Sequence, residues 1–330
     1  MIIKKLIESY NLKQHFKDRG YNCLEPYKVV NNKDTVFVSA GIQPILADVR
    51  EHKIDDNKKI YLSQPVIRTQ FADSVAEGSS IAFINSTTAG FNISEEEHNA
   101  LVNDWIELFY ELGMKPDDIT SRTKDYAREW GDLAVSGKKT FYYYKDLELG
   151  DTTFFTNVTK DGKDIGIETM SDVGFGLERI RWSVNNQSYF DLYSNSSNIS
   201  PEIKACLSVL ALLLVNEVKP SNKNSGYRAR LFSKKLVHLL DGMDMDEGLE
   251  KYLQECVKYW KDWQEINKDI DISIIGNEYI RNCNRFLIDK FTDEGYQNLS
   301  GININISREE FKKRLLCAGV NPDKILELGQ

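Results

Sequence analysis

A chain of 330 residues, 41% apolar and 28% charged, is long and apolar enough to bury a full core. Its net charge of −8 and isoelectric point near 5.3 exclude a protein built to coat nucleic acid, though not a local basic groove. The cysteines (Cys23, Cys206, Cys256, Cys283, Cys317) are scattered and form no C-x-x-C pair, which argues against a zinc ribbon and for inert, reduced thiols in a cytoplasm. His15, His52, His98 and His238 form no H-x-x-x-H pair, so no zinc is expected. No signal peptide is visible. The longest apolar run, Cys206-Leu-Ser-Val-Leu-Ala-Leu-Leu-Leu-Val215, falls short of the about 20 residues that span a bilayer and reads as a buried helix.

The first twenty residues carry apolar groups at helical spacing. Strands are predicted at Thr35–Ser39, Ser63–Gln70 and Ile81–Ile84 from their β-branched and aromatic content. A helix is predicted from Glu95 to Leu112: Ser94 and Glu97 form a capping box, Leu101, Trp105, Leu108, Phe109 and Leu112 form one stripe, and Gly113 supplies the stop. Further strands are predicted at Thr140–Tyr144, Thr153–Thr156 and Ile165–Met170, and a helix should begin near Phe175. The polar stretch Ser194–Ser200 is the best linker, so a boundary is set near residue 196. Ser200 and Pro201 then start a mostly helical second part. The expectation is a domain over 1–196 and a helical domain over 197–330.

One segment carries chemistry: Asp172-Val-Gly-Phe-Gly-Leu-Glu-Arg179, expected after a strand and at the opening of a helix. Glycines at 174 and 176 allow close approach to the backbone, a helix N-terminus offers free N–H groups to an anion, and Arg179 can pair with a phosphate. A plain strand-to-helix turn explains a lone Gly-x-Gly equally well. The dinucleotide fingerprint needs a third glycine, and position 179 is Arg.

The segment resembles motif 3 of class II aminoacyl-tRNA synthetases, in the Asp-x-Gly-x-Gly-Leu-Glu-Arg form typical of alanyl-tRNA synthetase. Other blocks fall in that family's order. Pro26 resembles the motif 1 proline, Val38-Ser-Ala-Gly-Ile42 the Asn-Ala-Gly-Met block, and Gln64-Pro-Val-Ile-Arg68 the motif 2 strand. Glu129-Trp130 resembles Asn-Phe-Trp, and Glu148-Leu-Gly-Asp151 resembles Glu-Ile-Trp-Asn. Lys219-Pro-Ser-Asn222, Ser225-Gly-Tyr227 and Arg230 resemble the opening of its helical middle domain. The likeness covers about residues 25 to 235. It implies an α+β fold: a class II synthetase-type antiparallel sheet flanked by helices, followed by a helical domain.

By this resemblance the chain is a cytoplasmic ligase that activates an amino acid with ATP and Mg²⁺. Arg68 would hold the α-phosphate and the substrate carboxylate, and Arg179 the γ-phosphate; both would be catalytic. Gly176, Glu178 and Asn85 would complete the ATP site, Asn85 standing in the stretch where the family has a Glu beside adenine. Asp172 would receive the α-ammonium (or simply cap the next helix), with Gly174 as the pocket floor and Trp130 as a wall or a plain core residue. Glu148 would bind Mg²⁺ or be a surface carboxylate. Departures cluster around the amino-acid pocket: Asp151 replaces an Asn, Arg128 stands near another, and Ala134-Val-Ser-Gly-Lys-Lys139 replaces Gly-Pro-Cys-Gly-Pro. They point to a substrate more polar than alanine.

No counterpart of the family's zinc-bearing editing domain or C-terminal domain is expected here, and Leu299-Ser-Gly-Ile-Asn-Ile-Asn-Ile-Ser307 stands in place of the block near the acceptor stem. The expected acceptor is therefore a carrier protein or small-molecule amine. The alternatives are a trimmed enzyme charging tRNA and a non-catalytic paralogue that senses an amino acid or nucleotide. The basic cluster Arg228, Arg230, Lys234 and Lys235 would be a solvated face or a phosphate contact.

Overall fold

The computed structural model describes residues 9–30, 35–51, 59–72, 75, 80–185 and 198–329. The chain forms two compact units: Met1–Arg68 with Ala82–Leu192, and Thr69–Ile81 with Tyr193–Gln330. The expected boundary at 196, and most of the expected linker, lie outside the described residues.

The first unit is built on an eight-stranded sheet. Its elements are α1 (Ser9–Asp18), β1 (Asn22–Cys23), α2 (Ile42–Arg50), β2 (Ile60–Ile67), β3 (Ala82–Phe91), α3 (Glu95–Glu111), β4 (Ile119–Trp130), β5 (Leu133–Tyr144), β6 (Leu147–Lys160), β7 (Lys163–Asp164), β8 (Met170–Gly176) and α4 (Leu177–Asn185). The strand order is β1-β2-β3-β8-β6-β5-β4, with β7 paired to β6. The β1–β2 pair is parallel and the rest are antiparallel, as the expected α+β architecture requires.

Strand alternation sorts the side chains onto two faces. On the back, α1 and α3 cover the sheet. Phe16 stacks on Tyr61 at 4.4 Å, Trp105 Nε1 donates to Thr88 Oγ1 at 3.0 Å, and Trp105 and Phe109 each lie 5.0 Å from Phe175. On the front, Ile42, Ile45, Leu46 and Val49 of α2 pack on Leu62, Ala89, Phe91, Phe155 and Met170. Beyond that apolar patch the same face continues into polar positions, and these carry the site.

Several expectations shift. Thr35–Ser39 is not a strand; Phe37 makes a single bridge to Val30, because the run is too short to sustain a ladder. The strand expected at Ser63–Gln70 runs over Ile60–Ile67, and β3 extends well past Ile84. The strand expected at Ile165–Met170 instead begins at Met170, so Gly174 and Gly176 lie in a strand rather than in a turn, and the helix starts at Leu177. The α3 capping box forms as expected, with Ser94 Oγ accepting from Glu97 N–H and the Glu97 carboxylate accepting from Ser94 N–H.

The second unit is helical: α5 (Pro201–Val215), α6 (Asn224–Leu239), α7 (Glu247–Trp263), α8 (Ser273–Asp293), α9 (Arg308–Cys317) and α10 (Pro322–Leu326). The apolar run forms α5 and is buried on all sides; Ser200 caps it and Trp260 Nε1 donates to Ser208 O at 3.0 Å. A second apolar cluster joins α8 and α9 through Leu287, Phe291, Phe311 and Leu315. The basic cluster is not one face. Arg230 Nε binds Glu278 at 2.7 Å and Lys235 donates to Ala72 O, while Arg228 and Lys234 are exposed.

Candidate functional site

The site lies on the front face of the first unit, where β3, β8 and β6 run side by side. Register pairs Gly174 with Thr87 on one side and Asp151 on the other; Asp172 pairs with Ala89 and Thr153. A residue without a side chain thus sits between a hydroxyl and a carboxylate. Gly150, directly behind, is needed for closeness: a Cβ there would lie 2.3 Å from Gly174 O.

Around Gly174 the polar atoms are fixed in place. A Cβ at this position would meet Asn85 Nδ2 at 3.1 Å and Thr87 Oγ1 at 3.5 Å. Asn85 Oδ1 accepts from Gly41 N–H at 2.8 Å and from Thr87 Oγ1 at 3.2 Å. Because a backbone N–H only donates, this contact sets the amide orientation and turns Nδ2 toward Gly174. Gly41 heads α2, and a Cβ on it would fall 2.5 Å from Thr87 Oγ1, so only glycine permits this contact. Asn85 is therefore held beside Gly174, between Gly41 and Thr87.

Six charges meet here. Lys139 Nζ binds Asp151 Oδ1 at 2.6 Å and lies 4.8 Å from the Tyr126 ring centroid. Arg179 Nη1 donates to Glu148 O at 3.0 Å and to Glu148 Oε1 at 2.9 Å. Arg68 Nε donates to Ser39 O at 2.9 Å, and its guanidinium lies 4.9 Å from the Phe83 centroid. Desolvation lowers the Arg68 pKa, with Asp151, Asp172 and Glu148 opposing that shift and Arg179 adding to it. Asp172 has no hydrogen-bond or ion-pair partner among the described residues. Desolvation, then the neighbouring Asp151 carboxylate, push its pKa up to about 7, against the pull of Lys139 and Arg68.

The structure thus brings Arg68, Arg179, Asp172, Gly174, Asp151 and Glu148 together. Others it does not. Glu178 is 0% exposed and accepts Ile84 N–H at 3.0 Å with both oxygens. Both oxygens are thus engaged by the backbone of β3. Gly176 faces the Arg179 side chain, 3.5 Å from where its Cβ would be, an ordinary contact. Trp130 packs on Phe155 at 5.2 Å at the edge of the apolar patch, its Nε1 donating to Tyr126 Oη. Arg128 is exposed on β4 and is not among the charges acting on Asp172. Residue-by-residue reading missed Lys139 and Thr87. Lys139 had one signal, its place in a block that departs from the family's pattern.

Glu148 Oε2 has no partner among the described residues, which leaves one carboxylate oxygen for a divalent ion carried by a phosphate ligand. Among the described residues no group of three or more His, Cys, Asp or Glu side chains is placed to hold a metal by itself.

The mostly antiparallel sheet, the helices flanking it and the helices that follow are consistent with a class II synthetase-like fold. No family profile matches the chain. It is similar to the Alanine–tRNA ligase of Sulfurisphaera tokodaii, 21% identical over 319 aligned positions that take in 74% of this chain and 34% of the relative. It is similar also to that of Thermofilum pendens, 22% identical with 74% and 35% covered. The aligned region spans about a third of the length of these relatives. At this level the chain is aminoacyl-tRNA synthetase-like and related to ligases.

Proposed function

We propose that this chain activates an amino acid with ATP, forming an aminoacyl-adenylate and pyrophosphate. The observation that carries this reading is the pairing of charges around Gly174. Lys139 is committed to Asp151 and Arg179 to Glu148, while Asp172 is a carboxylate without a partner among the described residues, across from Arg68. A zwitterion suits that arrangement: its ammonium satisfies Asp172 and its carboxylate meets the Arg68 guanidinium.

In this reading the substrate carboxylate oxygen attacks the α-phosphorus in line and pyrophosphate departs. Arg68 draws carboxylate and α-phosphate together, an approximation effect. Arg179 stabilises charge that builds on the leaving phosphates. Nη1 is held by Glu148, and Nε and Nη2 have no partner among the described residues, so its open side is preoriented. Glu148 Oε2 would help hold Mg²⁺, which supplies charge neutralisation on the triphosphate. Asp172 fixes the ammonium, and Gly174 leaves room for the substrate Cα.

The acyl group then passes to a nucleophile. A carrier protein or amine is the reading favoured by Leu299–Ser307, which replaces the acceptor-stem block. The similarity to Alanine–tRNA ligases favours a second, transfer to tRNA. Amino-acid-dependent ATP–pyrophosphate exchange without tRNA tests the first step. Exchange is expected, and Arg179→Ala should slow it roughly 100-fold or more. An unaffected rate in that variant would remove Arg179 from the mechanism. Adding tRNA or small amines to the same reaction and following acyl transfer decides the acceptor.

A further inference from the structure

We propose that the Lys139–Asp151 pair selects the substrate, and that the amino acid taken here has a short side chain carrying a hydroxyl or carboxamide. The proposal rests on the amino-acid activation reading and names its substrate class. Asp151 stands directly across from Gly174 in the β6–β8 register, so its side chain borders the space that glycine leaves open. Thr87 borders it from the other strand. With the α-ammonium on Asp172, two residues from Gly174 along β8 and on the same face, the substrate's own side chain is turned toward Asp151.

What it meets there is a partly desolvated ion pair. Lys139 Nζ lies 2.6 Å from Asp151 Oδ1, 4.8 Å from the Tyr126 centroid and 5.6 Å from the Phe141 centroid, with 17% of its side chain exposed. Two aromatic faces and a carboxylate hold the ammonium in place. One bond to Asp151 leaves ammonium hydrogens to donate, and Asp151 Oδ2 remains to accept. Asn85 Nδ2 offers another donor beside Gly174. A methyl or isopropyl group pressed on this pair strips its water and returns no hydrogen bond, which is costly for charged groups. A hydroxyl or a carboxamide both donates and accepts, and answers the pair at both ends. Pockets built to hydrogen-bond a substrate discriminate strongly against the analogue that lacks the group.

The test uses the full 330-residue chain. Pyrophosphate exchange is measured with glycine, alanine, valine, serine, threonine and asparagine, and binding of the same amino acids is measured by calorimetry. Serine, threonine or asparagine is expected to exceed alanine by at least about 10-fold in kcat/KM and in affinity. The apolar double variant Lys139→Met/Asp151→Leu should erase that preference. Preference for alanine or valine in the wild type would overturn the substrate class and leave the activation reading intact. Polar selectivity in binding without any exchange would support the class and count against activation. No exchange and no binding with any of the six would overturn both. If the double variant does not fold, the wild-type ranking alone decides between these outcomes.

Discussion

Asp172 shows how environment and task coincide in one side chain. A carboxyl held near pH 7 is protonated for much of the range in which an ordinary aspartate is charged. The folded state therefore binds this proton more tightly than the unfolded chain does. Its contribution to stability is fully present below about pH 4 and is lost as pH rises toward 7. Ligand binding runs the other way. A substrate ammonium requires the ionised form, so the KM for the amino acid should fall as pH rises through about 7 and then level off, while the KM for ATP shows no such step. Asp172→Asn should weaken amino-acid binding, flatten its pH profile, and raise the melting temperature near pH 8. A KM unchanged in the variant would detach Asp172 from the substrate. Asp172, Gly174 and Arg179 were legible in the sequence because they are contiguous. Lys139 was not, because its approach to Asp151 depends on the register of two strands and on the irregularity between Tyr142 and Tyr143.

At the next scale, the junction of β8 and α4 explains Glu178. The β3–β8 ladder ends at the Asn85–Gly176 pair, where the chain turns into helix. The next amide on β3, that of Ile84, then has no strand carbonyl opposite it on that side, and the Glu178 carboxylate takes the place of one. The helix N-terminus nearby favours that negative charge. Glu178→Ala would orphan a buried N–H and should cost about 1–3 kcal/mol in denaturant unfolding. Glu178→Gln, which keeps an acceptor, should cost less; equal losses would refute the strap. Elements with strong periodicity, such as α3, were legible from the chain. β4 was not, since Ile119–Trp130 is polar on both faces and shows no apolar alternation. Nor was α2, a nine-residue helix with Pro44 in its first turn.

For the whole molecule, the least legible feature was the allocation of Thr69–Ile81 to the helical unit. Sequence order places it between two strands of the sheet, and only long-range contacts reveal where it belongs. Val75 in this segment is 2% exposed, and Lys235 on α6 donates to Ala72 O. Expressed alone, residues 193–330 lack that piece and should melt at a lower temperature, or less cooperatively, than the helical part does in the intact chain. Equal melting would show the segment to be dispensable. The sheet's other extremity has a different consequence. β4 is the last strand of the order, and its twelve residues are largely open to water. Such a rim is a template on which a neighbouring molecule can add a strand and start a fibre. Arg122, Lys124, Asp125, Arg128 and Glu129 line it. A second copy pairing there would have to strip water from charged side chains along much of the ladder, so crowded molecules are kept from polymerising through their sheets.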